Sequence, residues 1–187
     1  MHGSFDYQEN ISSIKEGILA DAALGDGKEI KIFTTKNSTE IKAIIDVANA
    51  FPMDKIIARY VKDEGVSQLV ARIHEKELKR FLALCAIYRG PIGMRGQVDE
   101  LWHSFLMFTE DYQRFCEEVA GEFIHHAPND EDTPEAGRRI AALRFNATYE
   151  AAFGQSPDPE VWPLLTSDNC MNGCGSRCGG CRCMTTP

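Results

Sequence analysis

No window of the 187 residues approaches the roughly 20 apolar residues that a helix needs to cross a bilayer, so no transmembrane helix is expected. Positive charge is also in short supply. Twenty Lys and Arg stand against 28 Asp and Glu, and the net charge of -8 works against attraction to phosphate backbones or anionic lipid. Nucleic acid and membranes are therefore not expected partners, and a small molecule or a protein of unspecified kind remains. The opening residues, MHGSFDYQENISSIKEG, lack the long apolar run of a secretory signal, which makes the cytoplasm the expected location. Strand patterning is almost missing: only Glu29 to Thr35 alternates apolar Ile30, Ile32 and Phe33 with lysines, and no second strand is evident for it to pair with. There is no internal repeat. Cysteine is nearly absent before residue 166, where only Cys85 and Cys116 occur, yet five of the seven cysteines fall in the last eighteen residues. In a reducing compartment such residues are thiols or metal ligands rather than disulfides.

What is present is helical periodicity and a composition, 43% hydrophobic and 26% charged, typical of a folded globular chain. Asn10 or Ser12 is placed to cap a helix running to about Leu24, and Ser38 to cap one from about Thr39 to Ala50. Asp54 precedes KIIARYVKDEG, whose apolar stripe of Ile56, Ile57, Tyr60 and Val61 ends at Gly65. Ser67 opens the longest helix, Gln68 to about Arg89, whose FLALCAIY half is apolar nearly all round and is expected at the centre of the core. On its charged half His74 is expected at the surface. After the glycine-rich loop GPIGMRGQ come two helices, Val98 to about Phe108 and Thr109 to about Ala120, with Thr109 as the cap between them and Gly121 as the stop. A last helix runs from about Pro134 to Phe153, with Ile140, Leu143, Ala147 and Ala151 at helical spacing, before the extended SPDPEVWP. The expected fold is all-α, an irregular bundle of four to six helices with a disordered Cys/Gly-rich C-terminal tail. Three regions follow: an N-terminal helical extension (1–53), a helical module (54–165) and the tail (166–187).

The chemistry concentrates in the module between Val98 and Pro128, where three of the five histidines fall within 24 residues. Asp99 and His103 are four apart in a helix and so share a face. A carboxylate and an imidazole so placed either hydrogen-bond each other or ligate one ion. With His125 or His126 they make two histidines and a carboxylate, a set that leaves open positions for water, oxygen or substrate on iron, or for one water on zinc. If EFIHHAP is extended, only one of the two histidines faces inward; Phe123 is expected to bury its ring, which makes His125 the inward residue and His126 the outer one. The folding back of the second helix on the first is expected to bring this pair near Asp99.

The same residues admit a metal-free reading, in which Asp99 caps its helix, His103 neighbours Trp102 and the histidine pair lies on a surface turn. Trp102 and Trp162 are expected to pack in the core, as are Cys85 and Cys116.

Asp99, Trp102 and His103, then Tyr112, Phe115 and Cys116, then His125, His126 and Pro128 together resemble the signature of the glycine-rich domain-containing protein-like family. The likeness continues through Tyr149, Phe153 and Gly154 to Pro159, Trp162 and Pro163, and spans roughly residues 54–164. The resemblance implies no settled activity. One departure stands out: Ser104 to Phe108 holds no second histidine after the Trp-His pair, where relatives often carry one.

The tail, DNCMNGCGSRCGGCRC, spaces Cys170, Cys174, Cys178, Cys181 and Cys183 among glycines that let a backbone turn tightly round an ion. Four or five thiolates suit Zn²⁺ or Cu(I), in a metallothionein-like rather than a zinc-finger arrangement. Arg177 and Arg182 would lower neighbouring thiol pKa values. Two functional classes follow. One is a helical metalloprotein holding a divalent metal, zinc or iron, at Asp99, His103, His125 and His126, with an enzymatic version activating water or oxygen. The other is a non-catalytic metal-handling or interaction protein binding soft metal through its tail thiols. A metal-free helical scaffold is the third possibility.

Overall fold

The structure, a computed structural model, describes residues 21–23, 29–128, 135–163 and 181–184. Among these, six helices carry the fold: α1 (Ser38–Ala50), α2 (Asp54–Glu64), α3 (Gln68–Ile87), α4 (Val98–Leu106), α5 (Thr109–Val119) and α6 (Glu135–Phe153). Five strands of three or four residues accompany them: β1 (Asp21–Ala23), β2 (Glu29–Lys31), β3 (Ile92–Met94), β4 (His125–Pro128) and β5 (Cys181–Met184). The all-α class holds, with the strands as small clasps at its edge.

Local caps explain several of the helix boundaries. The α1 cap is Asn37, one residue ahead of the expected Ser38: its side chain accepts from the Thr39 and Glu40 amides, and the Glu40 carboxylate accepts from the Asn37 amide at 2.8 Å. Gly65, at φ 67°, closes α2, and Ser67 Oγ accepts from the Val70 amide at 3.2 Å to open α3. Thr109 is the first residue of α5 and makes no capping bond, and neither does Asp54 at α2; the positions ahead of them, Phe108 and Met53, have no side chain able to cap. Gly121, at φ 73°, ends the turn after α5.

The core forms around α3, whose Leu78, Phe81, Leu82, Leu84 and Ile87 are buried. Ile41, Ala48 and Phe51, from α1 and the residue after it, enter the same hydrophobic cluster as Ile57 of α2, Trp102 and Phe105 of α4, Phe115 of α5 and Phe145 of α6. The strand expected at 29–35 does find a partner. β2 pairs antiparallel with β1 in the register Ala22↔Ile30, so residues 21–23 are strand and not the end of a helix. The rest of that expected helix lies outside the described residues. In α6 the inward face is Ala141, Ala142, Phe145, Tyr149 and Ala152, while Ile140, expected on the packing face, is exposed.

Two polar clusters are built into the apolar interior. Glu77 of α3 accepts from the Trp162 indole at 2.8 Å, the Tyr149 hydroxyl at 2.9 Å and the Arg80 guanidinium at 3.1 Å, which ties the chain after α6 to the central helix. Burial, with the Glu77 charge beside it, pushes the Tyr149 pKa up to about 12. His74 is buried, contrary to the surface position expected of it, and its Nδ1 lies 2.8 Å from the Tyr60 hydroxyl. Its charged neighbours on α3 are buried as well, because Lys79 pairs with Glu75 at 2.7 Å and donates to the Asn49 carbonyl at 3.2 Å. No described helix is long and apolar enough to cross a membrane.

Candidate metal centre

The chain enters α4 through Gly96, whose φ of 76° favours glycine and whose missing Cβ leaves room for the Val161 carbonyl oxygen. That entry sets Asp99 in the first turn, where a helix dipole favours a carboxylate, with its side chain 1% exposed. His103, one turn on, is about one third exposed; its Nδ1 lies 3.9 Å from Asp99 Oδ2 and 3.8 Å from Glu100 Oε2. The shared face expected of the Asp99–His103 pair is therefore present. Glu100 beside it was not foreseen, although its spacing of three from His103 is also a helical neighbour.

The second half of the centre comes from β4, positioned by α5. The Tyr112 hydroxyl accepts from the Trp102 indole at 3.1 Å and donates to the Ile124 carbonyl at 2.5 Å, while the Ile124 amide meets Cys116 Sγ at 3.5 Å. Two buried side chains of α5 thus clamp both backbone groups of Ile124, which is fully buried. In an extended chain the residue two beyond Ile124 faces the same way. That residue is His126. Its Nε2 lies 3.0 Å from Asp99 Oδ1, and its ring sits 4.3 Å from Trp102 and 4.6 Å from His103 between centroids.

The alternation expected of this peptide is real, but its phase is the opposite of the one expected. Phe123 is 43% exposed, lying edge-on against Tyr112, and His125 is exposed with it, its ring 5.0 Å from Phe123. His125 is therefore the outer residue and His126 the inner one. The reason is the clamp: a β-branched aliphatic side chain with both backbone groups held takes the core position, and the ring before it is left to lie over the surface.

Asp99, His103 and His126 form a group that can hold a metal ion, with one potential ligand atom from each lying within 4.8 Å of the others. A metal held by imidazole nitrogens and a carboxylate sits about 2.0–2.1 Å from each, which spaces tetrahedral ligand atoms about 3.3 Å apart. The His126–Asp99 separation already meets that spacing. The Nδ1 of His103, the most exposed of the three, lies 3.9 Å from Asp99 Oδ2, somewhat beyond that spacing.

Of the tail cysteines, Cys170, Cys174 and Cys178 lie outside the described residues. Cys181 and Cys183 lie on β5, which pairs antiparallel with both β3 and β4, so these four residues of the tail expected to be disordered form the middle strand of a three-stranded sheet. Cys85 and Cys116 are buried, as expected, and both tryptophans are core residues.

The sequence model of the UCP032817-like family matches residues 47–146, a span that holds α2 to α5, both histidines of the doublet and Asp99. No curated protein and no solved structure matches the chain.

Proposed function

The chain belongs to the UCP032817-like family, and we propose that its function is to bind a divalent transition metal, zinc or iron, through Asp99, His103 and His126. The observation that carries this reading is the buried Asp99 carboxyl group with His126 Nε2 at 3.0 Å and a second imidazole nitrogen at 3.9 Å. One carboxylate and two imidazoles supply borderline-soft nitrogen and hard oxygen donors together, a set that suits zinc and ferrous iron and gives a hard ion such as calcium too few oxygens. Three protein ligands leave at least one position for water or a small oxygen donor, the arrangement of metal sites that activate water or oxygen. The Trp102 ring walls one side of His126 and excludes water from it, and the Tyr112 clamp holds the strand so that the imidazole is presented in one orientation.

The likeness of the Trp-His and His-His-x-Pro elements to the glycine-rich domain-containing protein-like family is a proposed kinship and adds no activity to this reading.

Metal content and zinc or Fe(II) titration of the full chain test it, with Cys170, Cys174, Cys178 and Cys181 changed to Ser so that those thiols cannot contribute. One equivalent of metal is expected, lost in His103→Ala. His103 is the informative position because its partial exposure lets the fold survive its loss. Equal metal in parent and His103→Ala would refute the assignment, and metal that disappears with the four cysteines alone would favour the tail-based, non-catalytic reading.

A further inference from the structure

Glu100 stands next to Asp99 in α4 and three residues ahead of His103, yet it is not among the three residues whose ligand atoms group within 4.8 Å. Its place is beside one of them. Glu100 Oε2 lies 3.8 Å from His103 Nδ1, with the glutamate side chain only 24% exposed. The carboxylate therefore lies against the protein, and its charge also reaches the Tyr60 phenol of α2, whose pKa is raised by burial, Glu64 and Glu100 together. The two nitrogens of His103 are not equivalent in this setting. Nδ1, the one nearer the main chain, has Asp99 Oδ2 at 3.9 Å and Glu100 Oε2 at 3.8 Å, both from α4 itself. Nε2 is farther along the side chain, the better placed to share an ion with a residue of another element. That residue is His126 of β4, whose ring is 4.6 Å from the His103 ring between centroids.

We propose that Glu100 is the positioning residue of the centre: it accepts a hydrogen bond from His103 Nδ1 and so leaves Nε2 as the nitrogen that binds the metal. This inference rests on the three-residue reading above. A neutral imidazole carries one proton, and holding it on Nδ1 puts the free lone pair on Nε2. Histidines that bind metals commonly give their second N–H to a carboxylate, which fixes the tautomer and the ring orientation and makes the ligand more basic. At 3.8 Å the contact is longer than a hydrogen bond. An ion at Nε2 draws it in, because it makes the opposite N–H a stronger donor. The second carboxylate also balances charge. A divalent ion on Asp99 and two neutral imidazoles keeps one net positive charge, and Glu100 brings the sum to zero in a partly buried place.

Zinc is the probe, added to the full chain with Cys170, Cys174, Cys178, Cys181 and Cys183 replaced by Ser. Long-range proton–nitrogen correlation spectra distinguish a metal-bound ring nitrogen from a protonated one, and the His103 signals are those missing in His103→Ala. His103 is expected to bind zinc through Nε2 and to carry its proton on Nδ1. Glu100→Ala should weaken zinc binding about 10–100-fold, with circular dichroism in EDTA showing that the helices are kept. Glu100→Gln retains an accepting oxygen and should recover part of that loss. Zinc on His103 Nδ1, or an affinity unchanged in Glu100→Ala, overturns the role of Glu100 and leaves the three-residue centre standing. A loss as large in Glu100→Gln as in Glu100→Ala assigns the effect to charge alone and overturns the hydrogen bond. If the parent binds no zinc, the three-residue centre itself is wrong and this proposal falls with it.

Discussion

Asp99→Asn separates the proposed metal centre from the fold that carries it. Asparagine has the size of aspartate and keeps an oxygen able to accept from His126 Nε2, which lies 3.0 Å from Asp99 Oδ1. In chelator, then, the cost is the difference between a hydrogen bond to a carboxylate and one to an amide, about 1 kcal/mol. In zinc the comparison changes. An ion that binds only the native state at 100 times its Kd stabilises that state by about 2.7 kcal/mol. For a chain of this size that is a rise in melting temperature of about 5–10 °C. The amide is a neutral and much poorer ligand, so the variant should lose that rise. The assay is a pair of thermal melts, in EDTA and in excess zinc, on parent and variant in the background with Cys170, Cys174, Cys178 and Cys181 changed to Ser, which limits zinc binding by unfolded thiols. A zinc-dependent rise of equal size in both chains would refute the role of Asp99. Failure of the parent to rise at all would refute the centre.

Three further outcomes follow from the packing. Burial holds the His74 imidazole below its ordinary pKa, so the unfolded chain takes up its proton at a higher pH than the folded chain does. Stability from this group is complete above about pH 6.5 and is lost as pH falls toward the folded value; urea midpoints measured from pH 7.5 downward should drop, and drop less in His74→Gln. Glu77→Ala strands the Trp162 indole, the Tyr149 hydroxyl and the Arg80 guanidinium around an empty position, and should cost about 3–5 kcal/mol in urea unfolding, against much less for a change at the exposed Glu150. Gly93→Ala drives a methyl group into the α6 backbone and should cost about 1–3 kcal/mol in the same assay. By displacing the sheet that carries His126, it should also weaken zinc binding, read by titration.

The parts of this fold that were legible in the sequence are those decided within a few residues. Ser67 and Gly65 mark the ends of helices because capping bonds and a left-handed turn are local events. The apolar run around Phe81 to Ile87 announces a buried helix because no polar face interrupts it. Strands β1, β3 and β5 were not legible, since each has only three or four residues and takes its existence from partners elsewhere; β5 is joined to segments more than 50 residues away in the chain. His74 was misplaced for a related reason. The charges around it read as a solvated face, whereas Glu75 and Lys79 neutralise each other under α1 and leave the imidazole to bond Tyr60. At the centre, Asp99 and His103 were found by helical spacing, which the structure keeps. The choice between His125 and His126 turned on which of Phe123 and Ile124 goes inside, and that is decided by Tyr112 and Cys116, groups on another helix that no pattern within EFIHHAP reveals.

The histidine doublet confers a tolerance on the chain that a single histidine would not. The clamp on Ile124 fixes where β4 begins, and the inward position is counted two residues from it. An insertion of one residue between Ile124 and His125 would move His126 outward, but it would bring His125 into the vacated place and leave an imidazole facing Asp99. A one-residue lengthening at this point would thus still leave an imidazole at the position facing Asp99.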